Sequence, residues 1–109
     1  MKVEDLKPDT NADLKVRVCS SGGTRKVKSK KGYDLYVCSF LLGDETGTVE
    51  FSAFGKDIYQ FEKLVGKVIK LNNIWVKEWR GKLQISKGRD GSWEEADDPD
   101  FPLTSEIVG

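Results

Sequence analysis

Between Val68 and Lys77 the apolar residues change parity. Ile69 and Leu71 are odd-numbered, Ile74 and Val76 are even-numbered, and Asn72-Asn73 separates the two pairs. Alternate residues of a strand face opposite sides, so all four reach one core only if the strand bulges or coils sharply at the two asparagines. An inserted residue does this: it bends the strand and increases its twist. The same parity argument sends Trp75, Lys77 and Trp79 outward.

The remaining patterns are mostly those of strands. Leu14, Val16 and Val18 alternate with polar residues, as in a half-buried strand. Ser20-Ser21-Gly22-Gly23 interrupts this strand, and Thr24–Lys28 resumes it after a bend. Ser29-Lys30-Lys31-Gly32 reads as a turn. The run from Tyr33 to Leu42 is apolar on both parities, so the facing of Tyr33 and Tyr36 stays open. A tight connection, Gly43-Asp44-Glu45-Thr46-Gly47, leads to a returning strand with Val49, Phe51 and Ala53 on one side and Thr48, Glu50, Ser52 and Phe54 on the other. Ile58, Phe61 and Leu64 stand at helical spacing after a candidate N-cap, Asp57, in the one helix expected. Leu83 and Ile85 mark a last strand. The predicted order is β-β-β-α-β-β, an all-β fold: a five-stranded OB-fold Greek-key barrel with one short helix between strands 3 and 4.

The formal net charge is zero, but it is unevenly distributed. Residues 1–93 hold all 18 basic residues and 12 acidic ones, for a net +6; residues 94–109 hold six acids and no base. The expected organisation is an OB-fold nucleic-acid-binding domain over 1–93 and an acidic C-terminal tail over 94–109, poorly ordered at its end. A basic body suits a polyanion. The tail either competes for the same surface, meets another protein or simply keeps the chain solvated.

Several function classes find no support in the residues. There is no histidine, hence no Ser-His-Asp or Cys-His arrangement. Cys19 and Cys38 are too few for a zinc site and read as small buried residues. Asp44-Glu45 reads as turn chemistry rather than a Mg²⁺ site. Neither catalysis, cofactor nor metal is expected. No apolar run approaches the roughly 20 residues of a membrane-spanning helix, and the opening residues lack a secretory pattern. The expected location is cytoplasmic, without membrane association.

The outward aromatics are the informative feature. Phe54, Trp75 and Trp79 form either a ladder on which nucleobases stack, at about 1–3 kcal/mol per base, or a core extension covered by the N-terminal segment or the tail. Trp93, on no clear strand, reads as a packing anchor. In an OB topology the 25–32 segment joins strands 1 and 2, and the 79–82 segment joins strands 4 and 5. These connections flank the binding face of such barrels. Arg25, Lys26, Lys28, Lys30 and Lys31 on the first, with Lys77, Arg80, Lys82 and Lys87 near the second, are candidates for neutralising phosphates; Tyr33 and Tyr36 are weaker contacts.

Leu42-Gly43-Asp44-Glu45-Thr46-Gly47 with the strand ending Phe54-Gly55, and the run from Gly66 through Val68–Trp75 to Arg80–Ile85, resemble archaeal single-stranded-DNA-binding proteins and the OB domains of archaeal replication protein A. So does the opening Val3–Pro8, and the likeness spans roughly residues 3–93. It implies that Phe54, Trp75 and Trp79 occupy base-stacking positions, the first often tryptophan in the family. It also implies binding of single-stranded DNA with little sequence preference, in replication, recombination and repair. Other replication or repair proteins are expected partners through the acidic tail. A protein-interaction OB domain and an RNA-binding one are the alternatives.

Overall fold

The computed structural model describes residues 1–108. A single 3-10 turn, Val3–Asp5, precedes β1 (Thr10–Lys28), β2 (Asp34–Asp44), β3 (Gly47–Phe54), α1 (Lys56–Glu62), β4 (Val68–Trp79), β5 (Lys82–Ser86), β6 (Ser92–Glu95) and α2 (Thr104–Val108). The sheet runs β1-β2-β3-β5-β4, and β4 pairs back onto β1 to close it. The β3–β5 contact is parallel and the others are antiparallel. This is the expected five-strand closure.

The predicted bulge is present. Pairing of β1 with β4 jumps from Leu14↔Leu71 to Ala12↔Ile74, so Asp13 opposes both asparagines. Asn73 takes φ 54°, a left-handed conformation that asparagine tolerates better than most residues. Its N–H donates to the Asp13 carboxylate at 2.7 Å, and the Asn11 amide donates to its side-chain oxygen at 2.8 Å. As a result Ile69, Leu71, Ile74 and Val76 are all fully buried. They share the interior with Val16, Val18, Phe40, Leu42, Phe51 and Ile85.

One end of the barrel is plugged by α1. Phe61 stacks on Phe51 at 4.4 Å between ring centroids and meets the edge of Trp93 at 4.7 Å. Asp57 is not the N-cap: that place falls to Gly55, at φ 55°, and Asp57 lies in the first turn. The abrupt change of direction after β3 needs a residue free of a Cβ, which moves the helix start forward.

Four further expectations are refined or corrected. Thr24–Lys28 do resume β1 after the bend, so Arg25–Lys28 are not part of the connection to β2: the two strands continue as a ribbon from Thr24↔Cys38 to Lys28↔Asp34. The Gly22-Gly23 bend is a register shift within β1, with Gly23 at φ 87°. Trp93 does pack at the barrel end, but from a sixth strand, β6, which pairs with Ile69–Asn72 of β4. Four residues with one apolar side chain give no periodicity to read. The chain's end is also ordered into a second helix, α2, which begins where the Glu106 carboxylate accepts the Leu103 N–H at 3.1 Å.

Asp44, the buried carboxylate of the β2–β3 turn, ties the N-terminal segment down. It accepts from Val3 N–H at 2.9 Å and from the Thr46 N–H and hydroxyl at 2.8 and 2.6 Å. Both cysteines are buried and unlinked, and burial raises the Cys19 thiol above its ordinary value.

Candidate nucleic-acid interface

Strand pairing places the outward side chains of β2, β3, β5 and β4 in transverse rows. One row is Ser39, Ser52, Ser86 and Trp75; the next is Leu41, Glu50, Gln84 and Lys77; Trp79 faces Lys82 beyond it. On the other side of the serine row lie Phe54 and its neighbour Val37, followed by Arg25. All three aromatics thus share one continuous surface. Trp79 is 57% exposed, Phe54 46% and Trp75 36%, so neither the N-terminal segment nor the chain's end covers them. Trp75 and Trp79, four residues apart on one strand, are separated by about 13 Å.

The connection after Trp79 is a two-residue turn. Arg80 and Gly81 both take positive φ, 51° and 81°, the pattern of the turn that best matches the twist of a hairpin. Its guanidinium lies 4.5 Å from the centre of the Trp79 ring. One face of that indole is therefore covered by a planar cation, a contact of about 0.5–1 kcal/mol when exposed.

The basic candidates divide by position. Arg25, Lys77, Arg80 and Lys82 are on the aromatic surface or at its border. Lys30 and Lys31 are in the turn at the ribbon tip, exposed, where Ser29 N–H donates to the Tyr33 carbonyl at 2.8 Å. Lys26 and Lys28 alternate with Arg25, so they leave the opposite side of the ribbon, and Lys26 pairs with Asp34 at 3.3 Å. Tyr36, opposite Lys26, lies on that same far side. There it lines a cleft of about 380 Å³ with Ile58 and Tyr59. Lys87 stands over Trp93, 5.6 Å from the ring centre, at the barrel end. The structure separates these last residues from the aromatic surface.

Residues not singled out from the sequence complete the surface. Ser39 and Ser86 have no signal of their own, because their facing depends on register. Glu50 and Ser52 share parity with Phe54, but parity alone does not show that they lie between Phe54 and the two tryptophans. Among the described residues no cluster of three or more His, Cys, Asp or Glu could hold a metal ion, and no helix is long and apolar enough to cross a membrane.

No protein-family model matches the chain. It is 31% identical over 107 residues to the single-stranded DNA binding protein Ssb of Saccharolobus solfataricus, a match covering 97% of this chain and 70% of that protein. The replication factor A related protein of Methanobacterium thermoautotrophicum superposes with a TM-score of 0.73 at 17% identity, over 89% of this chain and 90% of the other. The OB domain of Ta0387 from Thermoplasma acidophilum gives 0.71 at 19% identity, over 94% and 91%. The last two establish the OB fold, and the first establishes kinship: the chain belongs to the family of the archaeal single-stranded DNA-binding protein Ssb.

Proposed function

We infer that this chain binds single-stranded DNA, with bases stacked on Phe54, Trp75 and Trp79. The observation that carries this reading is the exposure of three large rings on one sheet surface bordered by cations. Singly exposed apolar groups are ordinary, but their grouping on one surface marks an interaction site. Arg25, Lys30, Lys31, Lys77, Arg80 and Lys82 are placed to neutralise phosphates running along the border of that surface. Lys26, Lys28 and Lys87 serve only a strand that bends around the ribbon or the barrel end. The 1–93 portion acts as the binding domain, and residues 94–109 as an appended acidic segment.

The name of the relative supports the ligand, and stacking explains tolerance of sequence, since every base offers a π face. The cellular setting follows from the ligand: replication, recombination and repair, inside the cell where single strands are exposed. No nucleotide, metal or catalytic step enters. Partner proteins would meet the exposed Leu103 and Val108 beside the acids of the chain's end.

The test is titration with oligo(dT) at low salt, followed by tryptophan fluorescence. Quenching that weakens with rising salt is the expected result; absence of quenching overturns the reading. Matched rU oligomers separate DNA from RNA preference.

A further inference from the structure

Glu50 is an acid at the middle of the proposed binding surface. It is exposed and lies in the row between Leu41 and Gln84, with Lys77 next across. Sheet spacings put its backbone about 12–13 Å from each of Phe54, Trp75 and Trp79. No lysine or arginine forms an ion pair with it among the described residues. Among the described residues its one side-chain hydrogen bond comes from the Gln84 amide, whose Nε2 stands 3.5 Å from a carboxylate oxygen.

A carboxylate in this place has two consequences. It repels phosphate, so the sugar–phosphate chain keeps to the border, near Arg25, Lys77 and Lys82, and the bases face the floor. It also only accepts hydrogen bonds. Gln84 directs its NH₂ toward Glu50, which leaves the amide oxygen as a further acceptor. The floor therefore complements bases that present amino groups: cytosine, adenine and guanine. Thymine and uracil flank their single N3–H with two carbonyl oxygens, which the carboxylate repels.

We propose that Glu50, supported by Gln84, gives this surface a preference for bases bearing an exocyclic amino group over thymine or uracil. The preference rests on the single-stranded-DNA reading above and is superimposed on sequence-tolerant stacking. Unstacked bases are read on such edges in single-strand recognition, and acceptance from the cytosine amino group by a carboxylate is an established pairing.

Oligo(dC) and oligo(dU) of equal length isolate the effect, since the bases differ only in the 4-amino or 4-carbonyl group and the adjoining N3. Tryptophan-quenching titrations at pH 8 should show wild type favouring dC by about 3–10-fold, toward the lower end of what one hydrogen-bonded base contact contributes. Glu50→Gln, exposed and nearly isosteric, should bring the dC/dU affinity ratio close to one, chiefly by improving dU binding. A wild-type ratio of one, or a ratio unchanged in Glu50→Gln, overturns the preference while leaving stacking intact. If neither oligomer quenches, the binding reading itself fails.

Discussion

Two stretches of outer sheet surface carry basic side chains, and the chain completes them in different ways. Over β3, β5 and β4, Lys77 and Lys82 have no acidic partner among the described residues, and the three rings beside them are open. Over the outer side of β1, the C-terminal segment lies across the cations. Asp98 pairs with Lys15 at 2.5 Å, and Glu95 with Lys67 at 2.8 Å. The Arg17 guanidinium donates to the Gly66, Pro102 and Phe101 carbonyls at 2.6, 2.7 and 3.3 Å, with Phe101 buried next to it. α2 reaches Gly43, where a Cβ would stand 2.6 Å from an Ile107 methyl. Charge left unpaired on one surface is available to a ligand, whereas charge taken up on the other holds the chain's own end.

The contrast can be broken most strongly at the rings. Trp75→Ala and Trp79→Ala should each weaken oligo(dT) binding by about 1–3 kcal/mol, with the salt dependence nearly unchanged. Trp79→Ala also removes the seat of Arg80, so it should cost the more of the two, and the truncations, about 13 Å apart, should combine close to additively. Isothermal titration at two salt concentrations measures both effects.

On the covered surface the sensitive position is Arg17. Arg17→Ala removes charge-assisted hydrogen bonds to three carbonyls and should destabilise the fold by about 2 kcal/mol, read as a lower urea midpoint. Intrinsic DNA affinity of the folded protein should stay as it was. A loss of affinity equal to that of the tryptophan variants would remove the distinction between the surfaces.

Smaller effects refine the comparison. Lys30→Ala or Lys31→Ala should flatten the log–log salt slope by roughly 0.7 per lost phosphate contact, while Lys15→Ala should leave that slope alone. The Lys15–Asp98 pair gives the smallest signal, since it is largely solvated. The Lys15 ammonium holds the Asp98 carboxyl below its ordinary value, with a further contribution from the Asp100 N–H. A depressed carboxylate stabilises the folded state fully above its unfolded value and loses that contribution as pH falls through the folded one. Thermal melts from pH 7 to 3 should therefore show wild type and Asp98→Asn converging in acid.

Much of the candidate surface was legible in the sequence, because its logic is local. Alternation placed Phe54 opposite Phe51, and the parity change at Asn72-Asn73 placed Trp75 and Trp79 opposite Ile74 and Val76. Where pairing between distant segments decides, the residues were silent. The run from Tyr33 to Leu42 is apolar on both parities, and only its register with β1 and β3 settles that Ser39 faces the rings and Tyr36 the helix. Thr24–Lys28 read as a resumed strand, but only their pairing with β2 removes Arg25–Lys28 from the connection between the two strands. β6 has too few apolar residues to announce a strand.

What this sequence determined by itself was the order of the five barrel strands and α1, the bulge and the outward rings, since each follows from periods of two or 3.6 residues within a few positions. The tertiary structure decided which cations remain open. Arg25 and Lys26 are equal in charge and adjacent in the chain, yet one flanks the rings and the other leaves the ribbon's far side beside Asp34. Lys15 and Lys77 are equally basic, and only the returning C-terminal segment separates them. Charge carries no periodicity of its own, so its use is fixed by what the fold brings within reach.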